Sequence, residues 1–465
     1  MAKDPFSVLV LAAGKATRFK SGRSKLLHRL AGRPLGDYAL RTALASGAEE
    51  VYMVVGHQAA DVQKAFARPH LTFIEQKEQL GTGHAVLIAR EKLTRSPSQD
   101  VAVVVGDAPL LQPETLQKLV DAHRSRRAAA TILTMKLEDP HGYGRIVRGP
   151  DRQVRKIAEE KLATPAERRI REVSSGILCF SRVKLLAHMN GLSNGNAQKE
   201  YLLTDLVEIL ARAGERLEAV AVDDPREVLG VNDRMELAQV ERILRLRKTD
   251  TLMRGGVTIV NPEVTYIDDA VTVGQDTIIE PGVSLLGETQ VGRDCLIRPY
   301  CTLTDSVLGD RVTVRPSCVI SGSTVGSDTI LGPFAHVRDG AVLEPESRVG
   351  NFVEVKKSRV GRGSKAWHLT YLGDAELGGG VNIGAGTVTC NYDGERKHPT
   401  VIEDNVFIGS GSMLVAPVRV GRGSYVAAGS TINEDVPPDS LAIARARQVI
   451  KQDWAKQKKS KEPAK

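Results

Sequence analysis

The sequence predicts two architectures in succession, an α/β domain on a mostly parallel sheet and then a parallel β-helix of hexapeptide repeats. Short apolar runs alternate with helix-like stretches over the first 230 residues, whereas aliphatic residues recur at every sixth position after Val257. The 465 residues, 42% hydrophobic and 26% charged, suffice for two large domains and exclude global disorder. Aromatic residues make up only 4%, so the cores must consist mainly of Val, Ile, Leu and Ala.

Five apolar runs predict the strands of the first domain. Their hydrophobic residues are nearly continuous rather than alternating, which is typical of strands buried on both faces of a parallel sheet. The runs are Val8 to Ala12, Val51 to Val55, Leu71 to Ile74, Val101 to Val105 and Thr131 to Thr134. Because ligands of such sheets bind at the carboxyl ends of the strands, we expect the site in the loops 12–25, 81–84 and 106–109.

A long helix is predicted between the two architectures. Asp233 is a candidate N-cap, Glu236 stands three residues later as in a capping box, and Gly255 and Gly256 end the helix. Its apolar stripe consists of Leu237, Val240 and Leu244. The predicted domains are residues 1–231, a linker helix over 232–256, and 257–465 with a basic C-terminal tail.

The repeats after Val257 form three registers of aliphatic residues six positions apart. The registers are Val273, Ile279, Leu285, Val291, Ile297 and Leu303; Val319, Val325, Leu331, Val337, Leu343, Val349 and Val355; and Ile402, Ile408, Leu414, Val420, Val426 and Ile432. Since three hexads make one triangular coil, the stretch from Val257 to Ile443 predicts about ten coils. One register break, Asn391 to Lys397, indicates either an insertion loop on a binding face or an ordinary surface turn.

Charge, hydropathy and cysteine usage limit the possible partners. Half of the net charge of +8 lies in the tail 451–465; a basic terminus can bind nucleic acid or acidic lipid, but a solvated chain end is commoner, so we expect neither partner. No apolar run approaches the roughly 18 residues that span a bilayer, and the first one is too early for a signal peptide. Five cysteines without a Cys-x-x-Cys pair indicate neither disulfides nor zinc. We therefore expect a soluble cytoplasmic protein with small buried thiols.

Residues with phosphate-binding chemistry follow the first predicted strand. The segment Leu11 to Phe19 places backbone amides and Arg18 after this strand, with Lys25 downstream. Such cations offset the charge of a triphosphate while a phosphoryl bond breaks. A single Gly-containing turn of this kind also occurs for packing alone.

Two further loops bring polar groups toward the same edge of the sheet. Asp107 follows the strand Val101 to Val105 and is either a Mg²⁺ ligand or a turn cap. Gln76 and the segment Gly81 to His84 offer amide, hydroxyl and backbone donors suited to a base or sugar edge. A glycine turn leading into a helix accounts for these residues equally.

Two sets of motifs resemble known enzymes. The first set is similar to the sugar-1-phosphate nucleotidyltransferases and comprises Leu11 to Arg18 with Lys25, Gln79 to Ala85, Gly106-Asp107, Gly142 to Arg145 and Gly230 to Asn232. The second set resembles the acetyltransferase half of the bifunctional N-acetylglucosamine-1-phosphate uridyltransferases/glucosamine-1-phosphate N-acetyltransferases and comprises Val349 to Glu354, His368 to Asp374 and Asn382 to Gly386. The resemblance spans almost the whole chain.

This resemblance implies a Rossmann-like nucleotidyltransferase domain followed by a left-handed β-helix that forms a homotrimer. The implied reactions are acetylation of glucosamine 1-phosphate by acetyl-CoA and then uridylyl transfer from UTP to N-acetylglucosamine 1-phosphate. The product, UDP-N-acetylglucosamine, is a precursor of peptidoglycan and lipopolysaccharide. Mg²⁺ is the implied cofactor, with Asp107 and Asn232 as ligands. The residues implied to contact the uridine nucleotide or sugar are Leu11, Ala12, Ala13, Gly14, Arg18, Lys25, Gln76, Gly81, Thr82, Val105, Gly106, Asp107, Gly144, Glu159, Ser174 and Asn232.

For the second domain, the resemblance implies that His368 is the general base that deprotonates the glucosamine amine as it attacks acetyl-CoA. An imidazole with a pKa near 6.5 suits this task at neutral pH. The residues implied to bind the sugar phosphate are Arg338, Lys356, Tyr371 and Asn382. Those implied to bind the sugar phosphate or the adjoining acetyl-CoA are Asn391, Tyr392 and Lys397, and those implied for acetyl-CoA are Ala385, Ser410, Ala428 and Arg445.

Three residues depart from the family pattern. Ala16 replaces a usual glycine, which predicts a different path for the phosphate loop because alanine resists positive φ. Ser174 replaces an asparagine that contacts the sugar, and Trp367 replaces a small residue, where it either reshapes the site wall or covers a groove. The first two substitutions leave open a related nucleotidyltransferase with another nucleotide or sugar. A non-catalytic hexapeptide-repeat scaffold is a further alternative, but it has no need of Lys25, Asp107 and His368 together.

Overall fold

The computed structural model describes residues 5–459, and the chain divides into two compact units, Met1–Leu244 and Arg245–Lys465. The division falls inside the helix Arg234–Arg254, which is the predicted linker helix. Residues 460–465 of the basic tail lie outside the described residues. None of the described helices is long and apolar enough to cross a membrane.

A mostly parallel sheet forms the centre of the first unit, as predicted. Its main path follows the order Leu217–Ala221, Ala130–Lys136, Glu172–Ser181, Asp100–Val105, Phe6–Ala12, Glu50–Val55 and Leu71–Glu75. The strand Glu172–Ser181 runs antiparallel to both of its neighbours on this path. It also pairs with Arg145–Arg148, which in turn pairs with Val154–Ala158. A separate two-stranded ribbon joins Arg29–Leu30 and Arg33–Pro34.

Helices cover both sides of this sheet. They are Leu35–Ala45, Ala59–Phe66, Thr82–Ile88, Arg90–Arg95, Pro113–Ser125, Arg182–His188 and Asp205–Arg212, with 3₁₀ turns at Thr17–Phe19, Lys25–Leu27, Glu167–Arg169, Met189–Gly191 and Pro225–Val228. Val8 and Val10 of the first strand belong to one buried cluster and Leu9 to another, so alternate residues face opposite helix layers. This double burial explains why the strands read as continuous apolar runs.

The second unit is a parallel β-helix with three sheets, named here faces 1, 2 and 3. Face 1 consists of Thr258–Ile259, Ile278–Ile279, Leu296–Ile297, Thr313–Val314, Ile330–Leu331, Arg348–Asn351, Lys365–His368, Asn382–Ile383, Phe407–Ile408, Tyr425–Val426 and Leu441–Ala442. Face 2 consists of Tyr266–Ile267, Ser284–Leu286, Thr302–Thr304, Val319–Ser321, His336–Arg338, Glu354–Lys356, Tyr371–Gly373, Val388–Cys390, Met413–Val415 and Thr431–Ile432. Face 3 consists of Thr272–Val273, Gln290–Val291, Val307–Leu308, Thr324–Val325, Val342–Leu343, Arg359–Val360, Ala375–Leu377, Thr400–Ile402 and Val418–Val420. With 11, 10 and 9 strands, the faces confirm the predicted number of coils.

The aliphatic registers point into the core of this β-helix, with one error. Val319 is 43% exposed, whereas its neighbour Ile320 is fully buried. The cause is a second shortened step: Ile320 and Val325 are consecutive aliphatic core residues only five positions apart, as Leu303 and Leu308 are, so the six-residue phase that starts at Val325 does not extend back to Val319. The other residues of the registers are buried, apart from the half-buried Val273.

The break at Asn391 to Lys397 is an insertion loop. Lys365 pairs with Asn382, 17 residues later, but Asn382 pairs with Phe407, 25 residues later. The extra residues leave the coil as a hairpin closed by a bridge between Tyr392 and Lys397. This confirms the insertion, and the assignment of the loop to a binding face stays a prediction.

The linker helix Arg234–Arg254 begins largely as predicted. Asp233 Oδ1 accepts the backbone N–H groups of Met235 and Glu236 at 2.9 Å each, which confirms the N-cap. The Glu236 carboxylate accepts from Asn232 N at 2.5 Å, so the predicted capping-box partner is wrong by one residue. The predicted stripe packs against Phe19, and it consists of Leu237, Val240 and Leu244.

The cysteines are free thiols, and most lie in the cores. Cys295, Cys301 and Cys318 are buried among the aliphatic residues of the β-helix, and Cys179 is buried in the sheet. Burial raises the pKa of the Cys295 and Cys179 thiols. Cys390 is half-buried. The prediction of small buried thiols thus holds for four of the five cysteines.

Candidate active sites

A cavity of about 580 Å³ opens at the carboxyl edge of the first unit's sheet, where the sequence places the site. Ten of the predicted residues line it: Leu11, Ala12, Ala13, Gly14, Lys25, Gln76, Gly81, Thr82, Val105 and Asp107. The loops after three different strands therefore converge on one space. Its volume is typical of a small-molecule site.

The loop Gly81 to His84 is shaped by contacts with a distant segment. Gly83 N donates to Tyr201 O at 2.7 Å, and Tyr201 N donates to Leu80 O at 2.8 Å. Gly81 has φ +108° and lies so near the Tyr201 carbonyl that a Cβ would stand 2.5 Å from its oxygen. The Thr82 hydroxyl accepts from Leu203 N at 3.1 Å. Glycine is required here by both the turn and the close approach, so the motif has a structural role as well as its place on the cavity wall.

The phosphate loop keeps a glycine-like conformation at Ala16. This residue has φ 47° and ψ 46°, which is the left-handed region, and it precedes the 3₁₀ turn Thr17–Phe19. The expectation that alanine resists positive φ here is therefore wrong, whereas the predicted difference in the path of the loop stays a prediction. A left-handed alanine costs about 1 to 2 kcal/mol, and the surrounding contacts must offset this cost. Among them, Phe19 N donates to Ala16 O at 2.9 Å, and Phe19 is buried.

Lys25 and Asp107 meet at the mouth of the cavity. The Lys25 ammonium forms an ion pair with Asp107 Oδ2 and donates to Val231 O at 2.9 Å. Val231 N in turn donates to Asp107 O at 2.9 Å. Three segments far apart in the chain are thus joined at one point, and both charged side chains are mostly buried.

Asp107 and Asn232, the two implied Mg²⁺ ligands, lie near the same glycine. Both flank Gly230, where a Cβ would stand 3.9 Å from Asp107 Oδ1 and 3.8 Å from Asn232 Nδ2. A carboxylate and an amide oxygen are the donors that Mg²⁺ takes when substrate phosphates and water complete its shell. The Asn232 Oδ1 atom accepts from Arg18 Nη2 at 2.9 Å, so each candidate ligand is engaged by a cation of the phosphate loop.

A second cluster of predicted residues does not line this cavity. Ser174 N donates to Gly144 O at 2.8 Å, and the buried Ser174 hydroxyl accepts from Gly176 N at 3.2 Å. Glu159 accepts from Thr204 Oγ1 at 2.8 Å. Tyr143 connects the cluster electrostatically to the cavity, because burial and then the charges of Glu236 and Asp107 raise its pKa. Outside the cavity lining lie Arg18, Gly106, Gly144, Glu159, Ser174 and Asn232.

The cavity also includes residues that were not among those implied to contact the nucleotide or sugar. They are Lys15, Ala16, Thr17, Leu26, Gln79, Ala85 and Glu200. Most stand inside or beside the quoted motifs. Glu200 had no sequence signal, since it belongs to an irregular segment whose position depends on the backbone bonds of Tyr201.

In the β-helix, His368 ends a face-1 strand at the corner where the chain turns toward face 2, named here the 1–2 corner. It pairs in register with Asn351 one coil earlier, and its Nδ1 atom lies 2.7 Å from Asn351 Oδ1. The Thr370 hydroxyl donates to His368 O at 2.8 Å and holds its backbone. The His368 side chain is exposed.

The 1–2 corner changes character at His368. Up to Leu369 its left-handed residues include the bulky, exposed side chains of Tyr300, Phe334, Phe352 and Leu369, together with the small residues Gly282 and Ser317. On the C-terminal side they are glycines, namely Gly386, Gly411 and Gly429. The residues before these glycines are Ala385, Ser410 and Ala428, and the ladder bonds Gly411 N to Ala385 O (2.7 Å) and Gly429 N to Ser410 O (2.8 Å) stack them. Ala385, Ser410 and Ala428, three of the residues implied for acetyl-CoA, therefore form a strip of small residues along the coils that follow His368.

Cations gather on the neighbouring face 2. Arg338 pairs in register with Lys356 and then Gly373, which has no side chain beyond Cα. Arg338 donates through Nε to Glu354 at 2.8 Å, and Lys356 lies 3.9 Å from Asp339. Tyr371 is in register with Glu354. The two cations and the phenol thus share one surface above a glycine.

The insertion loop brings a third cation to this surface. Lys397 lies beside Lys356, and the proximity of the two ammonium groups lowers the pKa of Lys356. Asn391 is buried and donates to Asp374 Oδ2 at 2.6 Å, which anchors the loop, while Tyr392 is exposed and donates to Gly394 O at 2.5 Å. Arg338 is ion-paired with Glu354 and Asp339, and beside it Lys356 and Lys397 form an adjacent pair of cations that can bind an anion such as a phosphate.

The remaining predicted residues lie nearby or apart. Asn382 is half-buried on face 1, in register with Lys365. Arg445 is exposed, after the segment whose Ala444 O accepts from Thr431 N. The Trp367 ring is half-buried with the Arg315 guanidinium 5.7 Å from its centre, so it covers the outside of face 1 toward the N-terminal coils. This agrees with the groove-covering alternative.

Comparison with known proteins extends this description. A MobA-like NTP transferase domain matches residues 8–181, a GMPPB C-terminal domain matches residues 261–366, and the bacterial transferase hexapeptide (six repeats) matches residues 399–434. The bifunctional protein GlmU of Koribacter versatilis is 48% identical over 99% of this chain and 98% of its own length. Those of Trichlorobacter lovleyi (50%; 97% and 98%) and Anaeromyxobacter sp. (51%; 98% and 93%) are equally similar.

A nucleotidyltransferase domain joined to a left-handed β-helix of hexapeptide repeats defines a two-domain transferase. Identity near 50% over nearly the full length then shows that the chain belongs to the bifunctional GlmU family. It is accordingly an enzyme of UDP-N-acetylglucosamine synthesis with a uridyltransferase and an acetyltransferase activity.

Proposed function

We propose that the cavity of the first unit catalyses uridylyl transfer from UTP to N-acetylglucosamine 1-phosphate, and that the 1–2 corner catalyses acetyl transfer from acetyl-CoA to glucosamine 1-phosphate. The observation that carries this assignment is the convergence of Lys25, Asp107 and Asn232 in one unit and the position of His368 beside the small-residue strip in the other. Acetylation comes first, because its product is the acceptor of the uridylyl group.

Uridylyl transfer requires positioning and charge neutralisation more than covalent chemistry. A phosphate oxygen of the sugar attacks the α-phosphorus of UTP, the new P–O bond forms, and the bond to the β-phosphate breaks to release pyrophosphate. Backbone N–H groups of the segment Leu11 to Gly14 and the cations Arg18 and Lys25 hold the triphosphate in this arrangement. No protein nucleophile takes part.

Mg²⁺ is the proposed cofactor, with Asp107 and Asn232 as its protein ligands. When bound, the ion supplies positive charge to the phosphate oxygens as charge develops on them. Lys25 contacts Asp107 and Arg18 contacts Asn232, so both cations lie beside the position in which the ion and the phosphates would be held.

Acetyl transfer requires a base and an anchored sugar. The amine of glucosamine 1-phosphate attacks the thioester carbonyl, His368 accepts the proton from the nitrogen, and the C–S bond breaks to release coenzyme A. Arg338, Lys356 and Lys397 bind the phosphate, with Tyr371 beside them. Their mutual repulsion, which lowers the pKa of Lys356, is relieved by the phosphate dianion.

The remaining proposals concern assembly and location. A shallow site on a β-helix surface is completed by a neighbouring subunit, and we propose a homotrimer through this domain. UTP and acetyl-CoA are cytoplasmic metabolites, which supports a cytoplasmic location. The chain acts on small molecules, with no nucleic acid or membrane partner.

The purified full chain tests these assignments directly. Pyrophosphate and UDP-N-acetylglucosamine are followed with Mg²⁺, UTP and N-acetylglucosamine 1-phosphate, and thiol release is followed with acetyl-CoA and glucosamine 1-phosphate. We expect turnover in both assays and a loss of the first with EDTA. Parallel assays with ATP, CTP, GTP and dTTP test whether Ala16 and Ser174 change the nucleotide, and a preference for one of these over UTP would overturn the substrate assignment.

A further inference from the structure

We propose that Asn351 is a positioning residue of the acetyltransferase site, which fixes the tautomer and the orientation of His368. This inference rests on the proposed function, because it concerns the same base. It names a residue that touches the imidazole but neither of the substrates.

The hydrogen bond itself determines which nitrogen of His368 carries the proton. Asn351 Oδ1 is a carbonyl oxygen and can only accept, so Nδ1, 2.7 Å away, must be the donor. In a neutral imidazole the proton is then on Nδ1, and the lone pair is on Nε2. A base needs its lone pair free, so this arrangement prepares Nε2 to accept the amine proton.

The register of the β-helix brings these two side chains together. Asn351 and His368 are paired in register on consecutive coils, and Leu369 N donates to Asn351 O at 3.0 Å. The residues that follow them, Phe352 and Leu369, share the left-handed conformation, with φ of 54° and 48°. The two corners therefore have the same shape, and the side chains at their first positions stack at the coil spacing.

The same corner position is occupied by other residue types in the remaining coils, so the Asn351–His368 pair is a local feature. The corresponding corner positions of the earlier coils are prolines, and those of the later coils are the small residues Ala385 and Ser410. Asn351 and His368 thus lie between the prolines of the earlier coils and the small residues of the later ones. Asn351 Oδ1 accepts on the Nδ1 side of the His368 ring, and the small residues of the later coils leave the other side open. Nε2 is therefore the nitrogen that faces the substrates.

Two variants separate positioning from mere packing. Asn351→Leu retains the approximate volume but removes the acceptor, and we expect kcat for acetyl transfer to fall about 10- to 100-fold with KM for both substrates nearly unchanged. Asn351→Asp keeps an acceptor but adds negative charge, which favours the imidazolium. The base is then unprotonated only at higher pH, so the acid limb of the kcat profile should move up by about 0.5 to 1 pH unit, with substantial activity retained above it.

The reference groups for this pH profile are unchanged in both variants. The ionisable residues on the strands and the loop around the corner are Arg348 and Lys365 on face 1; His336, Arg338, Glu354, Lys356, Tyr371 and Cys390 on face 2; and Tyr392, Asp393, Glu395, Arg396, Lys397 and His398 in or next to the insertion loop. A shift of the limb therefore reports the change at position 351. Thr370→Val is the matched control, because it removes a hydrogen bond to the His368 backbone but not to its ring. It should lower Tm without moving the acid limb.

The outcomes are distinguishable from a failure of the proposed function. Uridylyl transfer and Tm measured on every variant show whether the chain is folded. Acetyl transfer by His368→Ala would overturn the base itself. If His368→Ala is inactive while Asn351→Leu keeps the wild-type kcat, or Asn351→Asp loses activity without a shifted limb, only the role of Asn351 is overturned.

Discussion

The two units build their sites in opposite ways. In the first unit, residues from Leu11 to Glu200 reach one cavity only because loops from several strands dock on one another, as Tyr201 docks on Gly81 and Gly83. In the second unit, residues 17 or 18 positions apart lie on consecutive coils and become neighbours through the repeat, as Asn351 and His368 do. The first site depends on tertiary contacts among irregular segments, and the second depends on register.

The largest expected effect is on the acetyltransferase site. His368→Ala should reduce acetyl transfer by about 10²- to 10⁴-fold, because no other group takes the amine proton. Uridylyl transfer should remain at the wild-type level, since its residues belong to the other unit. Thiol release and pyrophosphate release measured on the same preparation check both statements. A parallel loss of both activities in a folded oligomer would contradict the independence of the two sites.

The converse variant is Asp107→Ala. It removes a candidate metal ligand and leaves Lys25 without its partner, so uridylyl transfer should fall by about 10²- to 10³-fold while acetyl transfer persists. Asp223→Ala is a matched control, because this aspartate is 81% exposed and does not line the cavity. Binding of Mn²⁺ to the two variants, followed by electron paramagnetic resonance with UTP present, should weaken only for Asp107→Ala. Unchanged uridylyl transfer would remove Asp107 from the metal site.

Substitutions of two glycines test how closely consecutive coils of the β-helix must pack. At Gly350 a Cβ would overlap the Trp367 carbonyl oxygen of the next coil, so Gly350→Ala should destabilise the β-helix by about 2 to 4 kcal/mol. Gly379 has only ordinary contacts, the nearest at 3.5 Å, and Gly379→Ala should change stability by less than about 1 kcal/mol. Thermal unfolding monitored by circular dichroism compares them. Equal Tm values for the two variants would show that the coils adjust to the added methyl group.

The smallest expected effect is in the phosphate loop. Ala16→Gly relieves the strain of the left-handed conformation but increases the conformational entropy of the unfolded chain. The two effects oppose each other, so the free energy of unfolding should change by less than about 1 kcal/mol. Ala16→Val should be worse, because a β-branched residue resists this conformation more strongly. KM for UTP measured for both variants should therefore stay near the wild-type value for glycine and rise for valine. A rise for glycine and none for valine would mean that the left-handed loop is not the form that binds the nucleotide.

Periodic features were predictable from the sequence, because their physical causes are local. Continuous apolar runs arise from strands covered on both sides, and the six-residue repeat arises from side chains pointing into a triangular core. The error at Val319 has the same origin. A coil shortened by one residue changes the phase, and the aliphatic residues on both sides of the break fit either phase.

The amino-acid pattern is sufficient to predict the two architectures, the edge of the sheet where the cavity lies and, through its motifs, most of the residues around it. The folded structure was needed for the conformation of Ala16, the turn in which the Ser174 hydroxyl is engaged, and the position of Glu200 on the cavity wall. These depend on contacts between segments that are distant in the chain, and such contacts have no period. The bond from Asn351 to His368 lies between these cases: the spacing brings the residues together, but the choice of ring nitrogen required the structure.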